Sequence, residues 1–285
     1  MTDPQVHEVA VLGAGTMGAG IAQVCAAAGL RVAIRDVAPE VLDKAIDSIG
    51  KSLEKLESKG KIGEGARAAA LAAIRTTTDL AEAVGRADLV IEAVPERLDL
   101  KIATFRDLDR LAPAHAVLAS NTSSLPVTEI AGAVARPGRV VGLHFFNPVP
   151  VMELIEIVRA MQTDDETVAA ARAIAARLGK RSILVKDVPG FATSRLGVAL
   201  AAEAIRMVES GVASPEDIDT AMKLGYRHPM GPLELTDLVG CDVRLAILDH
   251  LHREVGDQFR APPLLRQMVR AGKLGRKTGE GFYKY

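Results

Sequence analysis

Short apolar runs alternate with amphipathic stretches up to about residue 186, and only helical periodicity continues beyond that point. Val6 to Leu12 reads as a first strand. It passes directly into Gly13-Ala14-Gly15-Thr16-Met17-Gly18, after which Ala19 to Ala28 has helix-forming composition and stops at Gly29. Arg31 to Asp36 is the next strand. Helical composition then persists from Val37 to Ala73, longer than an ordinary crossover needs, with Gly60 and Gly63 dividing it into two projecting helices. Further strands are expected at Ala87 to Val94, His115 to Ala119, Val140 to Phe145, Met152 to Val158 and Arg181 to Lys186, with a helix from Asp164 to Leu178 ended by Gly179. Strands that alternate with helices in this way predict an α/β fold with a doubly wound, mostly parallel sheet over residues 1–187. Composition changes at Asp187-Val188-Pro189-Gly190. Residues 188–285 show helical segments near 191–210, 215–224, 232–253 and 262–271, and no strand. Ser214-Pro215-Glu216-Asp217 is a helix start, and Gly231-Pro232 opens what reads as the longest of these helices. Apolar residues on several faces of this all-helical domain predict a homodimer formed through it.

Composition narrows the function. With 285 residues, 48% of them hydrophobic, and a net charge of -1, the chain has material for a large core and no charge excess to suit nucleic acid or an anionic membrane. Three Tyr, six Phe and no Trp argue against a base-stacking surface, so a small-molecule substrate is the expectation. Cys25 and Cys241 lie far apart and form no CxxC pair, which suggests neither a disulfide framework nor a metal site. A glycine turn reached by Gly13 leaves no room for a leader segment, and no apolar run approaches spanning length, so a cytoplasmic protein is expected.

The glycine turn is the first candidate site. Strand, GxGxxG and helix, with Asp36 ending the next strand, form the context in which this pattern binds a dinucleotide in a Rossmann-type fold. Gly13 allows the tight turn, Gly15 lets a pyrophosphate approach the backbone, and Gly18 allows close helix packing. Asp36 suits the ribose hydroxyls of NAD and repels the 2'-phosphate of NADP, although Arg35 beside it counts the other way.

His144 sits near the carboxyl end of its strand, where α/β folds gather their chemistry. Period-two reading of the following strand places Glu156 with Met152, Leu154 and Val158, a carboxylate set into an apolar face. A His-Glu dyad is one explanation; a histidine bonded to a backbone carbonyl and a Glu156 paired with an arginine are the others. The row Ser120-Asn121-Thr122-Ser123-Ser124 has two readings. Ser124 caps the helix after Pro126, or Asn121 and Ser123 face the crevice of His144 and bind a polar substrate oxygen. No GxSxG elbow surrounds either serine. Lysines between residues 44 and 61 suit a phosphorylated substrate handle or, more plainly, a solvated face.

Taken together, GAGTMGAGIAQ, EAVPE, ASNTSSL, GLHFFNPVPVMELIE, KDVPGF, DIDTAMKLG, HPMGPLEL and GRKTGEGFYKY resemble the L-3-hydroxyacyl-CoA dehydrogenases, especially bacterial short-chain members, over nearly the whole chain. The resemblance implies His144 as catalytic base, Glu156 as its orienting carboxylate and Ser123 as a substrate-oxygen contact with Asn147 beside it. On the cofactor side it implies Gly13, Gly15, Thr16, Met17, Gly18, Asp36, Glu96, Lys101, Asn121, Ser123 and Asn147 around NAD. It implies Ser52 and Lys59 at the acyl-CoA, and a dimerising helical domain. Many members carry an asparagine three residues after PGF; Ser194 stands there instead, which puts that substrate contact and the chain-length preference in doubt. A sugar-acid dehydrogenase of the gulonate type and a dinucleotide-binding protein without turnover are the alternatives.

Overall fold

A computed structural model describes residues 6–285; the first five, on which the expected lack of a leader partly rests, lie outside it. Contacts divide the chain into two compact units, one ending at Asp187 and one running Val188–Tyr285.

The first unit runs β1 (Glu8–Leu12), α1 (Thr16–Ala27), β2 (Arg31–Arg35), α2 (Pro39–Ser58), α3 (Ala66–Ala72), β3 (Ile74–Thr77), α4 (Leu80–Val84), β4 (Leu89–Glu92), α5 (Leu98–Leu111), β5 (Val117–Ser120), α6 (Val127–Ala131), β6 (Val140–Phe145), β7 (Leu154–Arg159), α7 (Asp165–Arg177) and β8 (Arg181–Lys186). Its eight strands form one sheet in the order β3-β2-β1-β4-β5-β6-β7-β8. Pairing is parallel except between β6 and β7. Every residue of β1, β4, β5 and β6 is buried, which is why these strands read as nearly continuous apolar runs rather than alternating ones. The strand order reverses between β1 and β4, so the crevice at their carboxyl ends is where this sheet accepts a ligand.

The expected helical pair is α2 and α3. One stripe of α2, Leu42, Ala45, Ile49 and Leu53, is buried at helical spacing, and the pair packs against α1. Two strand readings need correction. The strand read as Met152 to Val158 spans Leu154–Arg159, and β3 was not anticipated at all: its four residues, Ile74-Arg75-Thr76-Thr77, lie at the sheet edge and none is buried, so no apolar run marks them.

The second unit is helical: α8 (Thr193–Glu209), α9 (Pro215–Thr220), α10 (Pro232–Val239), α11 (Cys241–Glu254) and α12 (Pro263–Arg270). Val198, Ile205, Leu233, Leu248, Leu251 and Leu265 belong to its core. The single long helix expected over 232–253 is two, and α8 with 17 residues is the longest of the unit. Gly240 separates them at φ 107°, a conformation glycine adopts and other residues resist. Among the described residues no helix is long and apolar enough to cross a membrane.

Candidate active site

Four strands deliver their carboxyl ends to one cavity of about 360 Å³. Met17 comes from the first turn of α1, just after β1, Ala93, Val94 and Glu96 from the turn after β4, Asn121 and Ser123 from the turn after β5, and His144 to Asn147 from the end of β6.

The antiparallel β6–β7 register sets His144 directly opposite Glu156. Opposed side chains on such a pair project to the same face, and here His144 Nδ1 lies 2.7 Å from Glu156 Oε2. Glu156 is completely buried and His144 is 7% exposed, so the interaction is made in a medium that strengthens it. A carboxylate on Nδ1 stabilises the tautomer with its proton there, which leaves proton transfer to Nε2. The ring of Phe146 lies against the imidazole, centroids 4.5 Å apart. One strand over, the Phe145 N–H donates to Asn121 Oδ1 at 2.9 Å, tying the end of β6 to the turn after β5.

Glu96 organises that turn. Its Oε1 accepts from Thr122 Oγ1 at 2.5 Å, from the Ser123 N–H at 3.0 Å, and from the Ser123 and Ser124 hydroxyls at 3.4 and 3.5 Å; Oε2 faces Lys101 Nζ at 3.3 Å. Burial works to raise the pKa of this carboxyl, but the Lys101 charge, followed by the Thr122 and Ser123 donors, outweighs it and holds Glu96 below the usual glutamate range. The capping reading of Ser124 is therefore overturned. Helix α6 takes Pro126 as its N-cap without a side-chain bond, while Ser124 turns back toward Glu96.

The glycine turn has the shape a dinucleotide needs. A Cβ on Gly13 would come within 2.6 Å of the Ala93 carbonyl oxygen, and one on Gly18 within 1.8 Å of the Gly13 oxygen, so both glycines are required for the turn to close. At Gly15, by contrast, nothing lies within 4 Å of a built Cβ, which leaves the backbone open to an approaching pyrophosphate at the start of α1. Asp36 Oδ2 accepts the Ala14 N–H at 2.8 Å and Oδ1 the Ala38 N–H at 3.2 Å, so its carboxylate is fixed at the end of β2. Arg35 Nε donates to the Thr78 carbonyl at 3.1 Å.

The described residues gather no group of three or more His, Cys, Asp or Glu that could hold a metal ion. Cys25 and Cys241 are buried free thiols, and burial pushes both up to about 12.

Comparison with known proteins decides the family. The pattern described as 3-hydroxyacyl-CoA dehydrogenase, NAD binding domain, matches residues 8–188, and that of the 3-hydroxyacyl-CoA dehydrogenase C-terminal domain matches residues 190–285. The chain belongs to the 3-hydroxyacyl-CoA dehydrogenase family. It is 46% identical to a Bacillus subtilis protein named "Probable 3-hydroxybutyryl-CoA dehydrogenase", over 99% of this chain and 98% of that one. It is 48% identical to a Deinococcus radiodurans protein of the same name, over 96% and 99%. The crystal structure of (S)-3-hydroxybutyryl-CoA dehydrogenase from Ralstonia eutropha superposes with a TM-score of 0.96 at 44% identity, covering 99% of both chains.

For a 3-hydroxyacyl-CoA dehydrogenase, the anticipated residues do not all come together in this structure. Met17, Glu96, Asn121, Ser123, His144 and Asn147 line one cavity. Gly13, Gly15, Thr16, Gly18 and Asp36 form the glycine turn and the strand end beside it, whereas Lys101 is 1% exposed and held behind Glu96. Ser52, half-buried, and Lys59, exposed, lie on α2 and at its end, outside the cavity lining; Ser194 lies in the first turn of α8 in the second unit. Sequence reasoning passed over Glu92, although it stands inside the EAVPE segment: it is completely buried and bonds Lys101, Ser120 and the Val94 N–H. A single acid within an otherwise apolar run was the available signal.

Proposed function

We propose that this 3-hydroxyacyl-CoA dehydrogenase oxidises the 3-hydroxyl of short L-3-hydroxyacyl-CoA substrates such as 3-hydroxybutyryl-CoA, reversibly and with NAD. The observation that carries this reading is the buried His144–Glu156 pair at 2.7 Å on the wall of the cavity that the glycine turn also borders through Met17. Bound NAD supplies the hydride acceptor, and NADH the donor in the reverse direction. His144 Nε2 takes the proton of the substrate hydroxyl, and the Glu156 carboxylate supports the imidazolium that results. Ser123 and Asn147 polarise the oxygen that becomes the ketone, and Glu96 holds the Ser123 backbone in place for that contact. Ser52 in the last two turns of α2 and Lys59 at its C-cap stand seven positions apart near one end of the helix, a placement that suits a phosphate-bearing CoA handle. Ser194 stands where many members carry asparagine and has a shorter side chain with a single hydroxyl donor, so a chain-length preference different from theirs is expected.

The test is oxidation of NADH with acetoacetyl-CoA, followed spectrophotometrically beside longer 3-ketoacyl-CoA substrates and beside gulonate with NAD. Turnover of gulonate but not of acetoacetyl-CoA would replace this reading with a sugar-acid dehydrogenase.

Cofactor choice gives a further expectation. Asp36 presents acceptors where a 2'-phosphate needs donors, and one donor of Arg35 is engaged by Thr78, so NADH is preferred over NADPH. Asp36→Ser should narrow the ratio of kcat/KM values by about 10-fold or more, the worth of one charge-assisted hydrogen bond. Equal efficiency with NADPH in the unmodified enzyme would mean that Arg35 governs instead.

The second unit exposes Leu196, Val212, Leu224, Tyr226 and Leu238. Apolar surface of this kind is covered when two copies pair, so sedimentation should report a homodimer, and Leu224→Glu combined with Tyr226→Glu should shift it toward monomer. A native protein that sediments as a monomer at micromolar concentration would rule this out.

A further inference from the structure

We infer that Glu92 is a positioning residue for the cofactor: through Lys101 it fixes Glu96, and with it the turn that carries Ser123. The inference rests on the NAD-dependent reading above.

Glu92 closes β4 at the point where the strand order reverses, with Leu12 of β1 and Ser120 of β5 as its register partners. It is completely buried, a costly place for a carboxylate unless each lone pair finds a donor. Oε1 accepts from Lys101 Nζ at 2.6 Å and from the Val94 N–H at 2.8 Å, and Oε2 accepts from Ser120 Oγ at 2.7 Å. Three segments thereby converge on one side chain: the turn after β4, the last residue of β5, and α5.

Lys101 passes this arrangement on. Its ammonium is 1% exposed and lies between two carboxylates, 2.6 Å from Glu92 and 3.3 Å from Glu96. A group so enclosed reaches a ligand only through what it holds; beyond Glu92 it donates to the Val94 carbonyl at 3.4 Å and faces Glu96, of which only Glu96 lines the cavity with an open acceptor. The charges along the row are negative, positive, negative. Glu92 neutralises Lys101, so Glu96 need not collapse fully onto the ammonium and keeps its own charge for other partners.

Glu96 shows the consequence. Its Oε1 is crowded by the Thr122, Ser123 and Ser124 donors, whereas Oε2, among the described residues, takes Lys101 alone at a longer distance. With 39% of its side chain exposed and its place on the cavity wall, Oε2 retains acceptor capacity for a hydroxyl of the nucleotide. Remove the Glu92 charge, and Lys101 draws Glu96 inward to replace it. The Thr122 and Ser123 bonds then loosen, and the hydroxyl acceptor withdraws from the cavity.

The experiment is a binding cycle read by isothermal titration calorimetry with NADH on the full chain. Glu92→Gln should raise the NADH Kd roughly 10-fold in the native background, and should add almost nothing once Glu96→Gln is present, because the two residues act in series. A residue that merely stiffens the end of β4 would weaken binding by the same factor in both backgrounds. Should Glu92→Gln fail to fold, Glu92→Asp, which keeps the charge but shortens its reach to Lys101, goes through the same two backgrounds, with a smaller weakening expected in the native background and none beside Glu96→Gln. A wild-type Kd in the Glu92 variant, or equal weakening with and without Glu96, overturns the inference. Failure of the native chain to bind NADH would instead overturn the NAD-dependent reading, before any variant is made.

Discussion

His144→Gln should lower the turnover rate by about 100-fold or more, while the Kd for NADH stays close to the native value. The size follows from the chemistry assigned to the ring. Glutamine fills similar space and can still bond Glu156, but no nitrogen of a carboxamide accepts a proton near neutral pH. A 100-fold loss corresponds to about 2.7 kcal/mol of transition-state stabilisation, within the ordinary range for a positioned general base. Glu156→Gln is the control: it keeps a polar partner opposite Nδ1 and removes only the charge that favours the imidazolium. Its loss should be smaller, and its pH–rate profile should move along the pH axis, because a neutral partner no longer supports the charged ring. Pre-steady-state turnover with acetoacetyl-CoA, together with calorimetric NADH binding, checks both. A His144→Gln enzyme that retains most of its rate sinks the assignment of the base.

The two members of that pair were not equally easy to find. His144 announces itself locally, as a polar residue near the end of an apolar strand, and Glu156 as an acid out of place among Ile155, Ile157 and Val158. Their pairing was less legible. It depends on β6 and β7 running antiparallel with Gly142 opposite Val158, and the connecting residues 146–153 contain no two-residue hairpin turn that would set the register from sequence. The same contrast runs through the fold. The limits of β8 were readable because Gly179 and Pro189 bracket the run, whereas β3 is four partly exposed edge residues whose strand character comes only from pairing with β2. Lys101 and Glu92 show the limit most clearly. Each is chemically conspicuous, yet their contact depends on how α5 packs beside β4, and no local pattern reports that a lysine on a helix turns inward.

The carboxyl-terminal segment Gly275 to Tyr285 matches the family closely, but sequence gave it no role; its packing predicts the largest loss of stability. Asp237 of α10 is 1% exposed, and the segment wraps around it. Asp237 Oδ1 accepts the Phe282 N–H at 2.9 Å, and Oδ2 accepts the Tyr283 N–H at 2.9 Å and the Tyr285 hydroxyl at 3.2 Å. Approach is so close that a Cβ on Gly281 would fall 2.1 Å from Oδ1, and one on Gly275 2.2 Å from the Asp237 carbonyl oxygen. A second buried acid, Asp219, receives the Tyr283 hydroxyl at 2.8 Å while accepting the Leu233 and Glu234 N–H groups at the start of α10. Asp237→Ala would take the acceptor from two backbone N–H groups in a half-buried site, with the hydroxyl of the more exposed Tyr285 left to water, so it should cost about 2–4 kcal/mol. In a unit of this size that lowers the midpoint of its thermal transition by roughly 10 °C or more, visible by differential scanning calorimetry, and opens the segment 275–285 earlier to limited proteolysis. Alkali should act on the same strap. Burial, then the neighbouring Asp219, raises the Tyr283 hydroxyl above its usual range, and burial likewise raises Tyr285. A raised folded-state value means the stabilisation is complete below about pH 10, where an unfolded tyrosine titrates, and is lost as pH climbs beyond it. A variant Asp237→Ala whose midpoint stays within about 2 °C of native would show that water satisfies these donors and that the strap is not held by Asp237.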